Sequence, residues 1–107
     1  MKMYILVKDT VPNNMVPVIA AHASLATYLK YQNDNDCKRW LNTSFKKVVC
    51  KITDSEFEEA KTVEANCVTT ESSLNNNEVA ISFCPRDNFP SIFGRYKLWS
   101  IECKLQK

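Results

Sequence analysis

Glycine is nearly absent. Gly94 is the one glycine in 107 residues, where average usage would supply about seven. The shortage excludes the G-x-G-x-x-G dinucleotide turn, the G-x-x-x-x-G-K-S/T phosphate loop and the G-x-S-x-G nucleophile elbow. Backbone that must lie against a phosphate has to do so here with a Cβ in the way. Metal-binding patterns are missing as well. His22 is the only histidine, and Cys37, Cys50, Cys67, Cys84 and Cys103 are widely spaced with no C-x-x-C pair. Structural zinc wants close pairs and a secreted disulfide framework wants an even count. The thiols are therefore expected to be reduced, several of them simply core, in a cytoplasmic protein. Neither a metal nor another cofactor is expected. Apolar runs are only a few residues long, so no membrane span is expected. The apolar start, Met1 to Val7, ends at Lys8-Asp9, too soon for a secretory leader, and reads as a strand.

What is present is an ordinary globular balance, 45% hydrophobic and 24% charged, in a length that suits one domain over residues 1–107. The net charge of +2 hides an uneven distribution. Residues 1–53 carry +5, residues 54–78 carry −6 and residues 79–107 carry +3. Lys38-Arg39 and Lys46-Lys47 offer a basic face for RNA, with ordinary solvated charges as the simpler alternative.

The periodicities alternate. Residues 3–8 are a continuous β-rich run suited to a strand buried on both faces. Pro17 can open a helix at no hydrogen-bond cost, and Val18, Ala21, His22, Leu25, Tyr28 and Leu29 then fall on one helical stripe, expected to face the core. Residues 37–41 predict a further turn carrying Trp40, and residues 47–52 a second strand. Thr53-Asp54-Ser55-Glu56 has the form of a capping box opening a short acidic helix that packs Phe57, Ala60 and Val63. Residues 67–70 and 78–84 read as strands three and four, the latter stopped by Pro85, with Asn75-Asn76-Asn77 as the turn between them. A short helix is expected within 86–94, then extended chain through Tyr96–Trp99 and Ile101. Strand and helix alternate as in an α/β fold with helices on both faces of a mixed sheet.

Two places offer chemistry. His22 can act with a carboxylate or a thiol, and a packed, hydrogen-bonded histidine is the simpler alternative. Thr69-Thr70-Glu71-Ser72-Ser73 sets one carboxylate among hydroxyls at a strand end, where open α/β sheets usually bind ligands. Such a carboxylate can orient a water or take its proton. A solvated Ser/Thr turn is the alternative there.

The order of these segments is informative. Tyr4-Ile5-Leu6-Val7-Lys8-Asp9, then Ala20-Ala21-His22-Ala23, then Lys46-Lys47-Val48-Val49 leading into Thr53-Asp54-Ser55-Glu56, resembles the type II peptidyl-tRNA hydrolases of archaea and eukaryotes. The likeness continues through the strand ending at Pro85 and Tyr96-Lys97-Leu98-Trp99, covering nearly the whole chain. The resemblance implies a three-layer α/β/α domain with a four-stranded mixed sheet. It also implies metal-independent hydrolysis of the ester that joins a peptide to the 3′ end of transfer RNA, with tRNA or peptidyl-tRNA as partner. Where the family carries a Gly-Lys-Gly-Lys loop, this chain has Asn13-Asn14-Met15-Val16-Pro17. His22 matches the family histidine in its Ala-His-Ala context. Glu71 is the counterpart of the aspartate in an Asp-Ala-Gly-Arg-Thr segment, followed here by Ser72-Ser73. His22, Glu71 and Ser73 are thus the expected catalytic residues, and Lys8, Lys46, Thr70 and Ser72 the expected substrate contacts. A module on the same fold that binds RNA or protein without turnover is the alternative reading, and a homodimer is compatible with either.

Overall fold

A computed structural model describes residues 1–100 of the chain. The elements alternate as expected: β1 (Lys2–Lys8), α1 (Val16–Tyr31), α2 (Asn35–Asn42), β2 (Lys46–Ile52), α3 (Asp54–Ala60), β3 (Asn66–Glu71), β4 (Asn77–Phe83) and β5 (Lys97–Leu98). Short 3₁₀ turns at Asn13–Met15, Ser72–Leu74 and Ser91–Arg95 complete the path. The helix expected within 86–94 is a short 3₁₀ segment, Ser91–Arg95, that runs one residue past that window. The expected extension of Ile101 lies outside the described residues, as does Cys103.

The sheet order is β3-β4-β1-β2-β5. β1 and β2 run parallel, whereas β4 is antiparallel to β1 and β3 antiparallel to β4. β1, β2 and β3 therefore all point the same way, and their carboxyl ends share one edge. The sheet has five strands, not the four expected. Lys97 and Leu98 pair with Lys51 and Cys50 of β2, and the Trp99 amide donates to the Val49 carbonyl at 2.9 Å. A strand of two exposed residues has no apolar alternation to announce it; the pairing with β2 defines it.

Helices cover both faces. On one side Met3, Ile5 and Val7 of β1 pack against Val16, Ile19 and Ala23 of α1 and Cys37 and Trp40 of α2. On the other, Tyr4 and Leu6 pack with Cys50 and Ile52, against Phe57 and Ala60 of α3 and against Phe93 and Tyr96. β1 is buried on both faces, which is why its sequence reads as a continuous apolar run. α3 begins with the expected capping box. The Thr53 amide donates to Glu56 Oε1 at 2.9 Å, and the Glu56 amide donates to Thr53 Oγ1 at 3.1 Å. α2 is longer than the expected turn and is capped by Asp34, whose Oδ1 accepts from the Asp36 and Cys37 amides.

α1 corrects the sequence reading. Its buried positions are Val16, Ile19, Ala23 and Thr27, whereas Val18, Leu25 and Leu29 are more than half exposed. The helix is apolar around nearly its whole circumference, so periodicity alone leaves two faces eligible. The sheet chooses between them with a polar pair. Ser82 of β4 and Thr27 share a fully buried hydroxyl–hydroxyl bond of 2.6 Å, and burying Thr27 without such a partner would leave its hydroxyl unsatisfied. His22 turns outward with the discarded stripe and is exposed rather than packed in the core.

Candidate functional site

α1 crosses the outer strands in the direction opposite to β3. Its carboxyl end is fixed at the start of β3, where Lys30 Nζ and the Tyr31 hydroxyl both donate to the Asn66 carbonyl, at 2.8 and 2.6 Å. Two turns back along α1, roughly 12 Å, lies His22. Along β3 from Asn66, roughly 16 Å, lies Glu71. Both spans lead toward the carboxyl edge of the sheet, where His22 acts electrostatically on Glu71.

Glu71 is held by the 3₁₀ turn Ser72–Leu74. Its Oε2 accepts from the Ser73 amide at 3.2 Å and from the Ser73 hydroxyl at 2.9 Å, so the side chain caps that turn. These bonds hold the Glu71 carboxyl below its ordinary range: the Ser73 amide contributes most, then the Ser73 hydroxyl, against a smaller opposing push from desolvation and with the least pull from His22. The group is an ionised carboxylate near neutrality, with Oε1 accepting no bond among the described residues. That leaves one oxygen aimed at solvent and one locked to the backbone, an arrangement that can orient a water molecule.

The β3–β4 register shifts between Thr69 and Thr70, leaving Val79 unpaired. The bulge re-aims the residues beyond it. Val79 enters the core beneath α1, while Glu78 accepts a 2.6 Å bond from Lys61 at the end of α3. Thr70, opposite Glu78, and Ser72 are both exposed at this edge.

The two lysines expected as substrate contacts stand at opposite ends of the sheet. Lys8 ends β1 on the α3 face, with Nζ 3.4 Å from Asp54 and 4.3 Å from the centre of the Phe57 ring. There it borders an open polar cleft of about 620 Å³ lined also by Thr10, Asp54, Asn76, Asn77 and Glu78. Lys46 is the first residue of β2, paired with Lys2, and a seven-residue strand, roughly 20 Å, separates it from the carboxyl edge. A substrate role for Lys46 required the fold to bring it near Glu71; strand direction puts it at the opposite end. Conversely, Thr10, Asp54, Asn76 and Asn77 were missed. The Asn75-Asn76-Asn77 run was the available signal. It supplies the turn, with Asn75 and Asn76 at φ 59° and 57°, and amides on the cleft wall as well.

Among the described residues, no group of three or more His, Cys, Asp or Glu could hold a metal ion, and no helix is long and apolar enough to cross a membrane.

The molecule is thus an α/β domain whose polar side chains gather beyond the carboxyl ends of its parallel strands, the usual position for ligands in such sheets. The model of the family Peptidyl-tRNA hydrolase PTH2 matches residues 1–98, and the chain belongs to that family. It is a peptidyl-tRNA hydrolase-like protein, and the family implies a tRNA substrate. No curated protein matches the chain.

Proposed function

We propose that the chain hydrolyses the ester between peptide and tRNA at the edge where His22 and Glu71 meet. The observation that carries this reading is the clamped, ionised carboxylate of Glu71 within electrostatic reach of the only histidine. Glu71 Oε1 accepts from the attacking water and aims its lone pair at the ester carbonyl. Ser73 holds the other oxygen still, acting as a positioning residue. His22, exposed on α1, donates to the developing oxyanion or to the departing ribose oxygen. Thr70 and Ser72 supply hydroxyls to the substrate on either side of the carboxylate. Lys8 belongs to the adjoining cleft, whose amides and charges suit the polar 3′ end of the RNA, and Lys46 takes no part in bond cleavage. Recycling of tRNA would make the protein an RNA-binding member of the translation apparatus, working in the cytoplasm. Incubation of the purified protein with peptidyl-tRNA tests the assignment. Glu71→Gln and His22→Ala are each expected to lower kcat/KM by about 10²-fold or more; turnover that survives both would refute it.

A further inference from the structure

The stripe of α1 that turns away from the sheet is itself apolar. Val18, Leu25, Leu29, Leu41 and Phe45 are five of the six large hydrophobic side chains exposed in the described chain, and all lie on α1, on α2 or just beyond α2. Between the helices Leu25, Leu41 and Phe45 join Tyr28 and Trp40 as the walls of a groove of about 380 Å³ lined almost wholly by carbon. Scattered single hydrophobics are ordinary on a surface; a contiguous apolar groove marks an interaction site.

Two further features bear on its occupant. Phe45 sits at φ 52°, a left-handed conformation that bulky residues rarely adopt, just past the end of α2. Its ring lies beside Trp40, centroids 5.0 Å apart, and Lys47 Nζ rests 3.1 Å from its centre. Backbone strain of this kind persists where it holds a side chain in a required position. The second feature is charge. Lys38 lies one turn before Leu41 on α2, and Lys46 and Lys47 come directly after Phe45. None of the three has an acidic partner among the described residues. No acidic residue lines the groove, and α1 has none along its length.

We propose that the groove between α1 and α2 docks an amphipathic helical segment of a partner protein that carries acidic residues beside its apolar ridge. An apolar ridge at i, i+4, i+7 fills the groove as helix-in-groove ligands do, and its acids meet Lys38 and Lys47 at the rim. A second copy of this chain fits less well. Its α1 offers no acid, and Asp36 of α2 is already bonded to Arg39 at 2.9 Å. The concave shape favours an inserted ridge over a lipid surface.

The test uses a fluorescein-labelled 18-residue helical peptide, with leucines on one stripe and glutamates flanking it, titrated against the full chain by fluorescence anisotropy. Saturable binding on the order of 10 μM is expected. The same peptide with lysines for glutamates should bind at least about tenfold more weakly. Leu25→Asp should abolish binding without moving the urea midpoint, because Leu25 is 60% exposed. Lys38→Glu combined with Lys47→Glu should reverse the charge preference. Equal affinity for both peptides would overturn the proposal. So would association with phosphatidylglycerol vesicles but with neither peptide, or a sedimenting dimer that Leu25→Asp dissolves.

Discussion

The contact that seats α1 lends itself to a thermodynamic cycle. Thr27 Oγ1 and Ser82 Oγ lie 2.6 Å apart with both residues fully buried. Thr27→Val keeps the shape and removes the hydroxyl. Ser82 Oγ then retains only the Ala23 and Cys67 carbonyls, each at 3.4 Å, and the loss is expected to be about 1 kcal/mol. Ser82→Ala strands the Thr27 hydroxyl, whose one partner among the described residues it was, for about 1–3 kcal/mol. The double variant replaces both partners with apolar groups and should be no less stable than Ser82→Ala alone, a coupling of about 1 kcal/mol or more. Urea unfolding at 25 °C reads the three variants directly, and each kcal/mol should appear as a Tm shift of roughly 4–8 °C. Losses that add to within about 0.5 kcal/mol would refute the idea that this pair selects the buried face of α1. A shift of α1 would also displace His22, and misplacement by about 1 Å can cost about 10²-fold in rate. The singles should therefore lose activity out of proportion to their folded fraction, if α1 rides up when the pair is broken.

Ser73→Ala removes the second-largest influence on Glu71 and leaves the Ser73 amide, the largest, in place. The Glu71 carboxyl then rises partway toward its ordinary range, so the acid limb of the pH–rate profile should move to higher pH; an unmoved limb would show that Glu71 ionisation does not set it. Burial pushes the Cys50 and Cys84 thiols up to about 11 and about 12. Iodoacetamide at pH 8 should therefore label half-buried Cys67 before either of them in the folded protein, as read by peptide mass spectrometry. Because both folded values lie above the ordinary 9.0, their contribution to stability is complete below pH 9 and is lost as pH rises toward 11–12. A urea midpoint that stays level from pH 8 to pH 11 would contradict that burial.

Much of the architecture was legible because the signals were local. The β1 run, the capping box at Thr53 and Glu56, and the strand stopped before Pro85 each depend on a few neighbouring residues and the backbone groups they satisfy. Half of the site was legible in the same way. Glu71 ends a strand beside hydroxyls, and Ser73 lies at the spacing that lets a carboxylate cap its own turn. Which end of the sheet Lys8 and Lys46 occupy was not legible, because strand direction depends on pairing partners far along the chain. The Thr69/Thr70 register shift, which sends Glu78 to Lys61 and Val79 inward, leaves no local trace of its own.

The sequence by itself determined the alternation of strand and helix, because turn chemistry, caps and period act within a few residues. It also determined that His22 follows the first strand and Glu71 comes at the end of the third, in the order of the family. Tertiary structure alone decided which side of α1 is buried, that a fifth strand closes the edge beside β2, and that Leu25 and Phe45 face outward around a groove. An apolar helix can bury either face at similar hydrophobic gain. The choice went to the face whose one hydroxyl found a partner on the sheet, Thr27 against Ser82.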